Sequence, residues 1–272
     1  MSMPKREIFP TQRKYSTFSA LSTTSPSLLK RATDILNCMG NGFNSATEIA
    51  TYCNYSISTV HRLLQNLAEL DWVIQDNTNH RYYLGPQVTK LSSNIMASHR
   101  YIVLHALKEM SRLANMTDET VMLGALDQLH YIKLFDIPSP QNLRIIEASD
   151  KLKGQYLGAT AKVLLSQLDD KELKVLFKHI KTEPTTPASV TDTAVMMEQI
   201  QEIRRKGYGI SYGERIKGAI CISAPVTNYF CPLALYMVGP DDRLKPQVKK
   251  MIAEVVNSAQ QVSEEIAGVF NG

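Results

Sequence analysis

The chain has 272 residues, of which 44% are apolar and 21% charged, with a formal charge of +4. That balance suits one large or two modest domains and excludes a disordered, collagen-like or disulfide-stapled miniature protein. Residues 1–100 hold 10 Lys and Arg against 6 Asp and Glu, while residues 101–272 hold 20 of each, so the positive excess lies in front, where it points to nucleic acid only if a docking motif shares the segment.

Residues 1–26 mix Lys and Arg with a Ser/Thr cluster and have little apolar periodicity, which reads as a flexible basic arm. Lys5, Arg6, Arg13 and Lys14 interrupt any leader-like apolar stretch, and nowhere is there a run of about 20 apolar residues to span a membrane. The protein is therefore expected to be soluble, unexported and cytoplasmic. Ser25-Pro26 signals a helix start, and Leu29, Ala32, Ile35, Leu36 and Met39 recur at helical spacing until Gly40 and Gly42 stop it. Ser45-Ala46-Thr47-Glu48 is a capping box that opens a second helix running to about Cys53. After Asn54-Tyr55-Ser56, the residues Val60, Leu63, Leu64, Leu67 and Leu70 form the apolar stripe of a third. Trp72–Gln75, a polar tip and Arg81–Gly85 then read as a β-hairpin.

Three short helices and a hairpin follow the winged helix-turn-helix order, although that order alone also fits a small helical domain with no DNA role. The chemistry of the third helix favours DNA. Its outer face carries Ser58, Thr59, His61, Arg62, Gln65 and Asn66, with no carboxylate before Glu69. These are the donors and acceptors that a major-groove helix needs, whereas a merely solvated face would normally carry Asp and Glu. Arg81 on the wing can reach backbone or minor groove. Ser45, Thr47 and Ser56, at the starts of the second and third helices, complete the DNA-facing candidates.

Further on, Val88–Ser98 is helix-permissive and Tyr101–Ala114 more plainly helical. Thr120–Leu126, Leu129–Phe135, Leu143–Glu147, Tyr208–Glu214, Ala219–Val226 and Pro232–Val238 read as strands, interleaved with helices from Ala159, Lys171 and Asp192. A closing helix carries Val248, Ile252, Val255, Val256, Ala259, Val262 and Ile266. The expected second domain is α+β with a mostly antiparallel sheet. Cys38, Cys53, Cys221 and Cys231 lack any C-x-x-C spacing, and the histidines at 61, 80, 99, 105, 130 and 179 do not cluster as metal ligands. An H-E-x-x-H helix, a Walker loop and a G-x-S-x-G elbow are absent too. Neither catalysis nor a cofactor is expected, a packed Cys221 thiol being a commoner thing than a nucleophile.

Ser58-Thr59-Val60-His61-Arg62-Leu63-Leu64, with the wing end Tyr82-Tyr83-Leu84-Gly85, resembles the DNA-binding domain of IclR-type bacterial transcriptional regulators. Gly158–Leu165 resembles the T-A-x-G-K-A-x-L-A segment of that family. Ile203–Tyr208, Gly213-Glu214 and Gly218–Val226 are similar to its I-R-x-x-G-Y, G-E and G … C-x-A-x-P-V signature. The resemblance spans about residues 27–268 and departs from the pattern at Ile57, often basic, at Asp71-Trp72, where Gly is frequent, and at Ala161 before Lys162.

It implies a winged helix-turn-helix domain over 27–86, a linker helix over 87–100 and an effector-binding and oligomerisation domain over 101–272. The implied partners are a near-palindromic double-stranded operator, a small organic acid, and further copies of the chain in a homodimer or dimer of dimers. By alignment, effector contacts would fall on Gly158, Ala159, Thr160, Ser211, Cys221, Tyr236 and Val238. The segment opening at Gly158 can present backbone N–H groups and a positive helix end to a carboxylate. Where relatives that bind short oxoacids place an acidic side chain and two serines, this chain has Ser211, Tyr236 and Val238, which favours a larger or aromatic acid. The rival readings are a DNA-binding regulator without small-molecule input and an enzyme that depends on Cys221.

Overall fold

A computed structural model describes residues 27–93, 95–127, 130–146, 156–180 and 182–270; the expected arm over 1–26 lies outside them. The chain divides into two compact units between Ser98 and His99.

In the first unit, α1 (Leu28–Gly40), α2 (Ala46–Cys53) and α3 (Ile57–Glu69) are followed by the antiparallel pair β1 (Val73–Gln75) and β2 (Tyr82–Leu84), and then by α4 (Pro86–Ser92). Each of the first three helices starts on a serine. The Ser27 hydroxyl accepts from the Lys30 N–H, Ser45 from Glu48 and Ser56 from Thr59, which satisfies donors that a helix start leaves orphaned. Ile35 and Cys38 of α1, Ile49 of α2 and Val60, Leu63 and Leu64 of α3 share one core. Asp71 turns the chain from α3 into the wing at φ 59°, a left-handed conformation that Asp tolerates better than most side chains. Gly85 closes the wing against that turn, and a Cβ on it would lie 2.2 Å from the Asp71 carbonyl oxygen.

The second unit is built on the strands β3 (Thr120–Asp127), β4 (His130–Ile137), β5 (Gly209–Tyr212), β6 (Ala219–Val226) and β7 (Leu233–Pro240). They form a five-stranded antiparallel sheet in the order β4-β3-β7-β6-β5. Alternation along the strands sends successive side chains to opposite faces. On one face Leu123, Ile222 and Leu235 share a core with Ile102, Met110 and Leu113 of α5 (Ile95–Thr117) and with Val255 and Val262 of α10 (Val248–Phe270). On the other face, Ala234 and Leu126 pack with α6 (Gly158–Leu165), α7 (Asp170–His179) and α8 (Thr193–Lys206). The short helix α9 (Asp241–Leu244) leads from β7 towards α10.

The strand expected over Leu143–Glu147 does not form where it is described: 143–146 carry no regular structure, and Glu147 lies outside the described residues. Side chains take the carbonyls that a ladder would have used. Thr120 Oγ1 donates to the Ile145 carbonyl at 3.1 Å and Arg243 Nη2 to that of Leu143 at 3.0 Å. The helix expected over 101–114 lies within the longer α5, and the helical stretch expected over 88–98 is divided between α4 and the start of α5.

Candidate functional sites: a recognition face and a cavity

In the first unit, the amphipathic α3 buries Val60, Leu63, Leu64 and Leu67. The outer face that remains exposes Ser58, His61, Arg62, Gln65 and Asn66, with Thr59 half-buried. Its first turn holds no acidic residue, so the positive end of the helix dipole is uncompensated by carboxylates there. Of the three helix-start candidates, Ser45 and Ser56 are less available than their sequence positions suggest. Ser45 is held in a complete capping box: its hydroxyl accepts from Glu48 N at 3.2 Å, and its own N–H donates to Glu48 Oε2 at 3.1 Å. Ser56 caps α3 while its hydroxyl pairs with those of Thr59 at 2.7 Å and Ser58 at 3.1 Å. Thr47 is exposed on α2. Arg81 is exposed as well, and its guanidinium donates to the side-chain oxygen of Asn44. Asn44, which sequence reasoning missed, thereby fixes the wing arginine beside the start of α2.

In the second unit, all of Gly158, Ala159, Thr160, Ser211, Cys221, Tyr236 and Val238 line one open cavity. Strand register explains the gathering. Ser211 stands opposite Cys221, and Cys221 opposite Val238, so the three form one row across β5, β6 and β7. The start of α6 covers that row. Ala159 N donates to Ser211 Oγ at 3.0 Å, and the Thr160 hydroxyl lies 3.3 Å from Cys221 Sγ. The N–H that the sequence offered to a carboxylate at position 159 is thus engaged by Ser211.

Residues that the alignment did not supply complete the wall. Met122, Ile145 and Ala219 make it more apolar, and Glu214, Arg215 and Ile216 come from the turn between β5 and β6. The Tyr236 hydroxyl is hydrogen-bonded to that of Tyr131, and the Arg215 guanidinium sits 5.6 Å from the Tyr131 ring centroid. Glu214 turns away to Lys162 of α6, whose Nζ donates to both carboxylate oxygens at 2.6 and 2.7 Å. Both side chains are more than nine-tenths buried. Burial pulls the Lys162 pKa below its ordinary value, and the hydrogen bonds to Glu214 oppose that shift.

Among the described residues, no group of three or more His, Cys, Asp or Glu could hold a metal, and no helix is long and apolar enough to cross a membrane. Against protein families, residues 95–264 match the model "Bacterial transcriptional regulator IclR C-terminal" and residues 28–77 match "IclR helix-turn-helix domain". The chain is 29% identical over 184 residues to the HTH-type transcriptional regulator KdgR of Escherichia coli, covering 68% of this chain and 70% of that one. It is 28% identical over 240 residues to the regulator BhcR of Paracoccus denitrificans, covering 86% and 85%. A crystal structure of an IclR homolog from Microbacterium hydrocarbonoxydans, complexed with 4-hydroxybenzoate, shares the fold with a TM-score of 0.53 at 18% identity, covering 89% of this chain and 100% of that one.

Proposed function

Since the chain belongs to the IclR family of bacterial transcriptional regulators, we propose that it is a ligand-responsive regulator that binds a near-palindromic operator through α3 and senses a small organic acid in the cavity of its second unit. The observation that carries the DNA half is the exposed face of α3, where His61, Arg62, Gln65 and Asn66 stand clear of the core with no carboxylate among them. Arg62 is the strongest base or phosphate reader, able to engage a guanine edge or a phosphate with two parallel N–H donors. Ser58 and Thr59 suit phosphate oxygens near the helix start, and Arg81, aimed by Asn44, suits backbone or minor groove. Ser45 and Ser56 serve mainly to cap helices. A homodimer or dimer of dimers supplies two such helices to half-sites about 34–36 Å apart or a multiple of that. The protein acts in the cytoplasm, where its operator is.

For the sensing half, the support is a cavity with mostly apolar walls and a few polar groups, the usual character of a small-molecule site. The 4-hydroxybenzoate held by the Microbacterium homolog is an acid of the class proposed for this chain. Effector binding regulates only so far as it favours one DNA-binding arrangement over another.

The test has two arms. DNA selected from a random pool by the protein itself serves in a gel shift, where R62A is expected to weaken binding by about 1–3 kcal/mol; an unmoved midpoint removes α3 as the reader. In the second arm, 4-hydroxybenzoate is expected to raise the melting temperature, and a flat response across carboxylic acids refutes the sensing half.

A further inference from the structure

With the cavity read as the effector site, we propose that residues 139–145 form a strap along it, pinned by Thr120 and Arg243 as positioning residues. This strap is the wall that yields to admit a ligand and closes to hold it. Strand register gives the cavity two unlike sides. Thr120 stands opposite Val238, which makes it the fourth member of the row Ser211, Cys221 and Val238. At the Ser211 end the row is covered by the start of α6, a helix whose Val163, Leu164 and Leu165 are fully buried in a core. At the Thr120 end the cover is the strap, whose Ile145 lines the cavity and packs against the cluster of Met122, Ala219, Tyr236 and Val238.

Side-chain hydrogen bonds hold the strap down. Thr120 Oγ1 accepts from the Ser139 N–H at 3.2 Å and donates to the Ile145 carbonyl at 3.1 Å, so one hydroxyl pins both ends. Between them, Arg243 Nη2 donates to the Leu143 carbonyl at 3.0 Å, while the same guanidinium grips the two Glu119 carboxylate oxygens at 2.6 and 2.8 Å. The root of this latch is fixed, because Glu119 is buried and a Cβ on Gly239 would lie 2.5 Å from its carboxylate carbon. The strap itself is not: it has no regular structure and its Leu143 stands 69% exposed, the marks of low local stability. It leaves β4 through Pro138 and Pro140, whose fixed φ confines movement to the stretch beyond them. Freeing it exchanges a few hydrogen bonds for bonds to water, each a small net loss, whereas lifting α6 would expose buried leucines.

Alkylation of the full-length protein by N-ethylmaleimide, followed by peptide mass spectrometry, tests this, because Cys221 lines the cavity while Cys231 is buried in the core of α5 and α10. T120V keeps the shape of the side chain but removes the pin. It is expected to speed labelling of Cys221 roughly tenfold, the worth of two such hydrogen bonds, and to leave Cys231 unchanged. T120S, which keeps the hydroxyl, should label like wild type. E119Q/R243M, which removes the arginine without stranding a buried carboxylate, should also speed Cys221. An unmoved Cys221 in both T120V and E119Q/R243M, a T120S protein as fast as T120V, or equal acceleration of Cys231 overturns the strap, the last by revealing a general loosening of the fold. Excess benzoate is expected to slow labelling of Cys221 in wild type. Labelling that ignores benzoate but still responds to T120V counts against the aromatic-acid reading and supports the strap.

Discussion

Lys162 and Glu214 face each other with both side chains more than nine-tenths buried and two hydrogen bonds between them. A pair of this kind gains little over well-packed apolar residues, because desolvating two ions offsets most of their attraction, but removing one partner strands the other charge in a medium that cannot solvate it. K162M is therefore expected to destabilise the second unit by about 3–5 kcal/mol, a fall in melting temperature of roughly 10 °C. The double variant K162M/E214L should recover most of that loss. A K162M protein that melts with wild type would show that water reaches Glu214. Ser211, Cys221 and Val238 were reached through the family resemblance, by alignment, and the strand register of the structure sets the three in one row. Arg215 was not, because its turn is aimed by the hydroxyls of Thr185, Thr186 and Ser189, about 25 to 30 residues away in a segment without periodicity. Asn44 escaped notice in the same way, its contact with Arg81 bridging 37 residues.

The caps of α2 and α3 decide how firmly the recognition face is presented, since helices this short depend on their ends and on one packed side. Hydrogen bonding by the Ser45 hydroxyl, and then by its backbone N–H, holds the Glu48 carboxyl below its ordinary 4.5. A carboxyl that is more acidic in the folded state contributes stability that is complete above 4.5 and is lost as pH falls through the folded value. Far-ultraviolet dichroism melts of the first unit should therefore weaken on acidification in wild type and less so in E48Q, because Gln keeps the reciprocal cap without titrating. S45A is expected to cost about 1 kcal/mol at neutral pH. Equal acid sensitivity in wild type and E48Q would place the titration elsewhere. Helices were readable from the sequence because caps and apolar stripes are local signals, as in the Ser45–Glu48 box. The missing strand over 143–146 was not, because Arg243 and Thr120 satisfy its carbonyls from 100 and 25 residues away, beyond the reach of any periodicity.

Each unit has its own core: Ile35, Ile49 and Leu64 anchor the first, and Leu123, Ile222 and Val255 the second. Separate cores give separate unfolding events, so calorimetry is expected to resolve more than one transition. An acid bound in the cavity at about a hundred times its Kd adds about 2.7 kcal/mol to the unit that holds it, raising that transition by roughly 5–10 °C and leaving the other in place. Regulation asks for more, because a ligand that stabilises one unit regardless of how the other engages DNA changes no operator occupancy. The coupling must then appear as a factor, typically about 5-fold to 150-fold, by which the acid alters DNA affinity, and linkage requires DNA to alter affinity for the acid by the same factor. Titrating benzoate into free protein and into the protein–DNA complex measures that second factor, while a gel shift with and without benzoate measures the first. Equal factors establish a sensor whose two sites share one equilibrium. A factor of one in both directions, with the melting shift intact, would leave a protein that binds the acid without reporting it to DNA.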